Sequence, residues 1–310
     1  MISLAQTAFY QILTMFCLII VGLFCYKVKL IDKEFNKKLS DLVLMLVNPI
    51  VIFVSYQRKF NASLLKGLLI ALVLAIITQV LAIVTAHLFL HKRRQEANSA
   101  IEHFAMVYSN CGFIGIPLVN GIVGSTGVFY LTAYMTIFNL SVWTHGLILI
   151  TGKSDRKSIG KAMLSPSIIA TVSGFLLFIA RLQLPDVMVA PLRLLGDMNT
   201  PLAMLVSGAT IAQTNILQLF CKFRAYSITF MKLVFIPAVM VILFSFLPIS
   251  KDVYLTSILA TACPTAATIN LFAVRYDNNS VYASELFAMT TLFSMVTIPV
   301  IMTFASLFIS

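Results

Sequence analysis

Charge is scarce in this chain, and acidic charge most of all. Asp and Glu number 11 in 310 residues and Lys and Arg 22, so that 11% of the residues are charged, against about a quarter in soluble domains. With 60% of its residues hydrophobic, the chain cannot cover a soluble surface. No apolar segment carries Asp or Glu at its centre, which weighs against a carboxylate proton relay through the bilayer. His87, His91, His103 and His145 show no HExxH or related spacing, and a phosphate-cradling loop and a GxSxG motif are both missing. An enzyme reading has little to stand on. Cys17, Cys25, Cys111, Cys221 and Cys263 lack metal-ligand spacing; four fall inside apolar segments and Cys221 at the edge of one, so they report no redox compartment.

What is present is a succession of apolar runs, each long enough to cross about 30 Å of hydrocarbon as a helix. They predict spans near residues 6–26, 39–57, 64–90, 99–123, 126–151, 166–184, 196–214, 223–247, 252–274 and 280–308, with no room between them for a soluble domain. The first run has no preceding Lys or Arg and no cleavage site after it, and is expected to be a retained span.

In a soluble protein a net charge of +11 would suggest nucleic acid. Here the basic residues sit in the short connections, where they report topology, and no nucleic-acid partner is expected. With the N-terminus outside, fifteen Lys and Arg fall in inner connections and six in outer ones, leaving Lys232 inside a span. The bias places both termini on the extracytoplasmic side of a multi-pass cell-membrane protein.

The chain also reads as two halves. Pro49 in the second span and Pro201 in the seventh lie in similar settings, LVNPIVIF and MNTPLAML. The fourth and ninth spans both carry a proline amid small and polar residues. Five spans per half make the copies inverted relative to one another, a common transporter plan. The expected organisation is an N-terminal five-helix repeat over 1–152, a short basic cytoplasmic connection over 153–165 and a C-terminal five-helix repeat over 166–310.

Two spans depart from a plain lipid-facing helix. The fourth contains Ser109-Asn110-Cys-Gly112-Phe-Ile-Gly115-Ile-Pro117, and the ninth Thr261-Ala-Cys-Pro264-Thr265-Ala-Ala-Thr268-Ile-Asn270. A proline inside a helix removes a donor and displaces a carbonyl, freeing backbone groups at mid-depth. Such backbone is tolerated in a membrane where protein buries it or where it lines a watery cavity. One such span alone reads as a kink. Paired breaks, each with an asparagine, point instead to two helices crossing at unwound middles, whose half-helix N-termini present N–H groups to an anion. Asn110 and Asn270 can grip a carboxylate or help hold a cation, the alternative for each being a helix-to-helix hydrogen bond. Lys232 attracts an anionic substrate or snorkels to the inner surface. His145 reads as a packed histidine, and Asp197 and Glu285 as interface residues at the starts of their spans.

These residues resemble the auxin efflux carrier family, which includes plant PIN-formed carriers and prokaryotic organic-acid permeases. The resemblance runs nearly end to end. It rests on Asn110-Cys-Gly-Phe-Ile-Gly115-Ile-Pro117-Leu, on Ala262-Cys-Pro264 followed by Phe272-Ala273 and Tyr276, and on Leu292 through Ile298-Pro299. Lys232 through Pro237-Ala and Pro201 through Gly208 to Gln213 are similar to further family patterns. The resemblance implies an all-α integral membrane protein of ten transmembrane helices, two inverted five-helix repeats with crossed broken helices 4 and 9, like sodium/proton antiporters and bile-acid transporters. It implies a homodimer in lipid that moves a small organic anion by elevator-like alternating access. The implied site is Asn110 on the substrate carboxylate, Pro117 and Pro264 at the crossover, with Gly115, Thr265, Asn270 and Lys232 around it. The connection after the fifth span is only about a dozen residues, so the long loop of many plant members is missing, and the third span lacks the acidic residue that some of them carry. A mono- or dicarboxylate such as malate or malonate is therefore expected rather than auxin. No cofactor is implied, Na⁺ or H⁺ coupling stays open, and a sensor that binds at the same site without transport is the alternative.

Overall fold

The computed structural model describes residues 4–93, 96–152, 160, 164–214, 222–276 and 278–308. Among these the chain is helical throughout, with no strand and one isolated bridge. The first half contains α1 (Leu4–Lys27), α2 (Lys33–Ser55), α3 (Ala62–Leu90), α4 (Ser99–Val107), α5 (Cys111–Ile122) and α6 (Ser125–Thr151). The second contains α7 (Pro166–Ile179), α8 (Asp186–Asp197), α9 (Asn199–Ala212), α10 (Phe223–Ser245), α11 (Lys251–Ala262), α12 (Thr268–Arg275) and α13 (Ser280–Ser306). Six of the described helices, α1, α2, α3, α6, α10 and α13, are long and apolar enough to cross a membrane. The expected fourth and ninth spans are each a pair of shorter helices separated by an interruption.

Local chemistry sets the boundaries. Asp32 caps α2 by accepting from the Phe35 amide at 2.7 Å, Asn61 caps α3 through the Ser63 amide at 2.8 Å, and Asn279 caps α13 through the Tyr282 amide at 3.0 Å. Three helices contain a five-residue π turn ending two residues before a proline: Val43–Val47 before Pro49, Cys111–Gly115 before Pro117 and Met231–Phe235 before Pro237. The Asn48 and Ile236 amides reach back five residues, to the Val43 and Met231 carbonyls. The wider turn relieves the clash between the proline ring and the carbonyl four residues before it.

One expectation is corrected. The segment read as a connection between the sixth and seventh spans is the helix α8, so the seventh helix begins at Asn199 and not near 196. Pro191 sits inside α8 with its ring exposed. The helix closes against α2, where a Cβ on Gly196 would lie 3.3 Å from a Val51 methyl.

Burial separates rim from interior. Only 28% of the apolar window of α1 and 33% of that of α2 are buried, against 56% in α10 and α13, so the last two are inner walls. α1 packs on α9, and α2 on α7 and α8, while α3, α6, α10 and α13 gather around the interrupted helices. The α1–α9 contact is backbone against backbone. A Cβ on Gly22 would lie 2.8 Å from the Leu205 Cα, and one on Gly208 2.8 Å from the Leu23 nitrogen. Small residues let membrane helices approach this closely, and a side chain there must drive the helices apart. Gly208→Val is therefore expected to lower stability by about 2 kcal/mol, read as a lower thermal midpoint in detergent; an unchanged midpoint would contradict the close packing.

Candidate functional site

The two interruptions lie side by side. Ser109 and Thr265 form an antiparallel bridge in which the Asn110 amide donates to the Pro264 carbonyl at 2.7 Å and the Ala266 amide to the Tyr108 carbonyl at 2.9 Å. The side chains repeat the reciprocity. The Ser109 hydroxyl donates to the Thr261 carbonyl at 3.3 Å and the Thr265 hydroxyl to the Ala105 carbonyl at 2.9 Å, so each break satisfies a carbonyl four residues before the other break's bridging residue. The Thr265 amide itself donates to the Thr290 hydroxyl of α13 at 3.2 Å. Thus backbone freed by Pro264 and by the 108–110 turn finds partners inside the protein, as a hydrocarbon surround demands.

Asn110 stands at the N-terminus of α5. Its Oδ1 accepts from the Phe113 amide at 3.3 Å, while its Nδ2 is buried with no hydrogen-bond partner, although the residue is only 3% exposed. Next to this turn lies a pair that the sequence reading did not single out. The Asn199 Nδ2 donates to the Asn48 Oδ1 at 2.5 Å, and the Asn48 Nδ2 sits 3.0 Å from where a Cβ on Gly112 would be. The Asn199 Oδ1 is buried without a partner. A signal was available, since these asparagines immediately precede or nearly precede Pro49 and Pro201, the prolines that align the two halves. From Asn199 a cavity of about 570 Å³ runs between α2, α5, α6, α8 and α9, with Ser55, Arg58, Asn120, Arg193, Asp197 and Thr200 on its walls. Arg58 is held in place by donating to the Ser55 and Ser125 carbonyls at 2.8 and 2.9 Å.

Lys232 bonds to the bridge itself. It is 1% exposed, and its Nζ donates to the Ser109 hydroxyl at 2.6 Å, so it does not snorkel to the surface. Tyr134 donates to the same oxygen at 3.4 Å.

A family model described as membrane transport protein, that of the auxin efflux carriers, matches residues 7–163 and 153–302. The chain belongs to the auxin efflux carrier family. No curated protein matches it. Its family makes it a membrane transporter, and the six long apolar helices among its described residues make it a multi-pass membrane protein.

The remaining site candidates of this transporter are dispersed. Gly115 lies buried between Cys111 and Cys263, 3.4 and 3.5 Å from a Cβ placed on it. Pro117 is buried, and its carbonyl accepts from the Gln11 Nε2 of α1 at 3.1 Å. Asn270 is half-buried in α12, and its Oδ1 accepts from the Ser284 hydroxyl at 3.1 Å, a helix-to-helix bond. His145 packs as expected, with Nδ1 2.9 Å from the Tyr108 hydroxyl. Cys221 and the basic residues of 153–159 and 161–163 lie outside the described residues.

Glu285 lies near the start of α13, its side chain 2% exposed, and pairs with the half-exposed Lys222 at 2.5 Å. Beside it Arg224 pairs with Glu96 and with the fully buried Glu102, which also accepts from the Tyr282 hydroxyl at 2.9 Å. Acidic residues placed early in a span look interfacial in sequence; only the folded bundle shows that α10 brings cations to them.

Lys222→Ala removes the half-exposed cation beside buried Glu285 and is expected to cost about 1–2 kcal/mol, between the exposed and the buried case, measured by thermal unfolding. Ser109→Ala and Thr265→Val each remove one reciprocal hydroxyl and are expected to cost about 1–3 kcal/mol. Because both hydroxyls close one structure, their double-mutant cycle should depart from additivity by more than about 0.5 kcal/mol. Strict additivity would show the two breaks to be independent.

Proposed function

We propose that the protein is a secondary carrier for a small organic anion, a mono- or dicarboxylate such as malate or malonate, moved by elevator-like alternating access. The observation that carries the reading is the unpartnered, buried Nδ2 of Asn110 at the N-terminus of α5, within a membrane transporter family. A half-helix N-terminus offers free N–H groups and a positive dipole end, and Asn110 adds a donor for which the protein supplies no acceptor. Pro117 and Gly115 shape that turn, Pro264 and Thr265 hold the opposite break against it, and Lys232 and Asn270 flank the arrangement.

Ten crossings in two inverted five-helix halves, with the fourth and ninth helices crossing at their breaks, is the architecture this reading needs. Two pairings are those expected about a local two-fold axis: the reciprocal bonds of Ser109 and Thr265, and the Asn48–Asn199 pair beside the aligned prolines. In this reading α1, α2, α7 and α9 are the scaffold, and the interrupted helices with those around them are the part that moves. The cavity lies between the two parts, from Asn199 and Ile116 at one end to Arg58 and Arg193 at the other. The charge bias of the connections makes that side extracytoplasmic, with both termini, and the state open outward. Two copies in lipid complete the proposed assembly. A ligand shifts the two states only by its differential affinity for them.

The test is thermal stabilisation of purified protein by a panel of small organic acids, repeated for Asn110→Ala, with uptake of the responding acid into proteoliposomes. At 100 times its dissociation constant a ligand stabilises by about 2.7 kcal/mol. The expected outcome is that a carboxylate stabilises and enters with wild type and does neither with Asn110→Ala. An equal response of both proteins would remove Asn110 from the site, and binding without uptake would remove transport of that acid.

A further inference from the structure

Arg58 and Arg193 stand on the walls of the cavity, one just past the end of α2 and the other in α8, and among the described residues neither forms an ion pair. Asp197 lines the same cavity one helical turn beyond Arg193 and pairs with neither of them. Arg58 directs its donors to neutral oxygens instead. Its Nε donates to the Ser55 carbonyl at 2.8 Å, within its own segment. Both Nη atoms cross to α6, where one donates to the Ser125 carbonyl at 2.9 Å and the other to the Thr126 hydroxyl at 3.3 Å. The guanidinium also lies over the Phe129 ring, 5.0 Å from its centroid. Behind it Tyr56 is wedged between two neighbours. Its hydroxyl bonds to that of Thr132 in α6 at 2.7 Å, and a Cβ on Gly174 of α7 would lie 2.8 Å from its ring. The end of α2 is thus tied to α6 by a charged fork at the first turn and by a neutral hydroxyl pair two turns farther along.

We propose that Arg58 is an anion-released tie: its two Nη donors hold the first turn of α6 to the end of α2, and an oxyanion that enters the cavity takes them over and frees α6. The proposal rests on the reading of α2 as scaffold and α6 as part of what moves, and it supplies the step by which an arriving anion starts that motion. Chemistry favours the exchange. A carboxylate presents two charged oxygens at the spacing of the guanidinium fork, and such charge-assisted bonds are about twice as strong as bonds to neutral acceptors. The α6 oxygens are neutral, and the bond to Thr126 is long. Because Nε keeps its bond to Ser55, the guanidinium has only to turn. Charge on the walls sets the direction. Arg193 belongs to α8, which packs on α2, whereas the residues that α5 and α6 bring to the cavity, Ile116, Asn120, Ser125 and Val128, carry no charge. An anion between the two arginines therefore draws Arg58 toward the α2 side and away from α6. Ile116 is the lining residue nearest in sequence to Asn110, roughly 9 Å of helix away at 1.5 Å per residue. The anion at the arginines is thus an arriving one, met before Asn110.

The experiment follows amide hydrogen exchange over residues 125–132 in purified full-length protein, in chloride and then in malonate or sulfate at equal pH and ionic strength. In wild type, exchange is expected to quicken by about threefold or more in both oxyanions, because a released first turn opens more often. General stabilisation by sulfate slows exchange, so quickening has the sign of the tie alone. Arg58→Gln is expected to exchange fast already in chloride and to ignore both oxyanions. Arg58→Lys keeps the charge without the fork and is expected to behave as Arg58→Gln does. Arg193→Gln leaves the tie intact, so its exchange should stay slow in chloride and quicken less. Asn110→Ala is expected to respond as wild type does, which separates the tie from the substrate site. If no organic acid binds through Asn110 and the response persists, the reading of Asn110 falls and the tie stands. A response lost in Asn110→Ala comes from the substrate site and overturns the tie. Wild type exchanging alike in all three salts overturns it whether or not the variants fold, and so does Arg58→Gln responding as strongly as wild type.

Discussion

The structure depends on one constraint: hydrocarbon offers no hydrogen bonds, so each backbone group freed inside the membrane needs a partner from the protein. Two helices of this chain are interrupted, and each interruption satisfies the other. The bridge between Ser109 and Thr265, the amides of Asn110 and Ala266, and the two exchanged hydroxyls together account for the backbone that the breaks release. Neither break could persist alone facing lipid. The packing of α10 and α13, the most buried of the long helices, follows from the need to enclose this pair.

Enclosure in turn sorts charge. At the break, positive and negative helix ends lie within a few residues of one another, and the chain answers them differently. The N-terminal end of α5 is left with a buried amide donor, the Asn110 Nδ2, and no acceptor. Beside it Lys232 donates to the Ser109 hydroxyl, which in turn donates to the Thr261 carbonyl. Farther along the same bundle, Glu102 and Glu285 are buried only because Arg224 and Lys222 reach them. Four charges beside α10 and α13 thereby tie the early part of the fourth span to the last helix. The α1–α9 contact relies on glycine and close approach instead, so the two parts of the molecule are held by different physics.

Much of this was legible beforehand. Apolar length located the membrane helices, and proline among small polar residues located both breaks to within a few positions. Asn110 was found because an amide in such a setting has few apolar explanations, and Lys232 because a lysine deep in a span always needs one. Other features were not legible. Asn48 and Asn199 are ordinary asparagines until their spans are side by side, and nothing local showed that Ser284 would engage Asn270. The helix α8 was hidden because prolines at 185 and 191 resemble stop signals, whereas proline is tolerated at a helix start and on an exposed face.

The sequence by itself determined that this protein lives in a membrane, that two of its apolar segments carry helix-breaking residues, and that it belongs with the auxin efflux carriers. Those are properties of composition, periodicity and local backbone chemistry, which each segment carries alone. Only the tertiary structure decided which polar groups find one another: that Ser109 serves Thr261, that Thr265 serves Ala105, that Lys232 turns inward, and that the Asn110 amide is left over. Partners lying more than a hundred residues apart leave no local trace. Whether a buried donor is satisfied or waiting is fixed by what the fold brings within 3 Å of it.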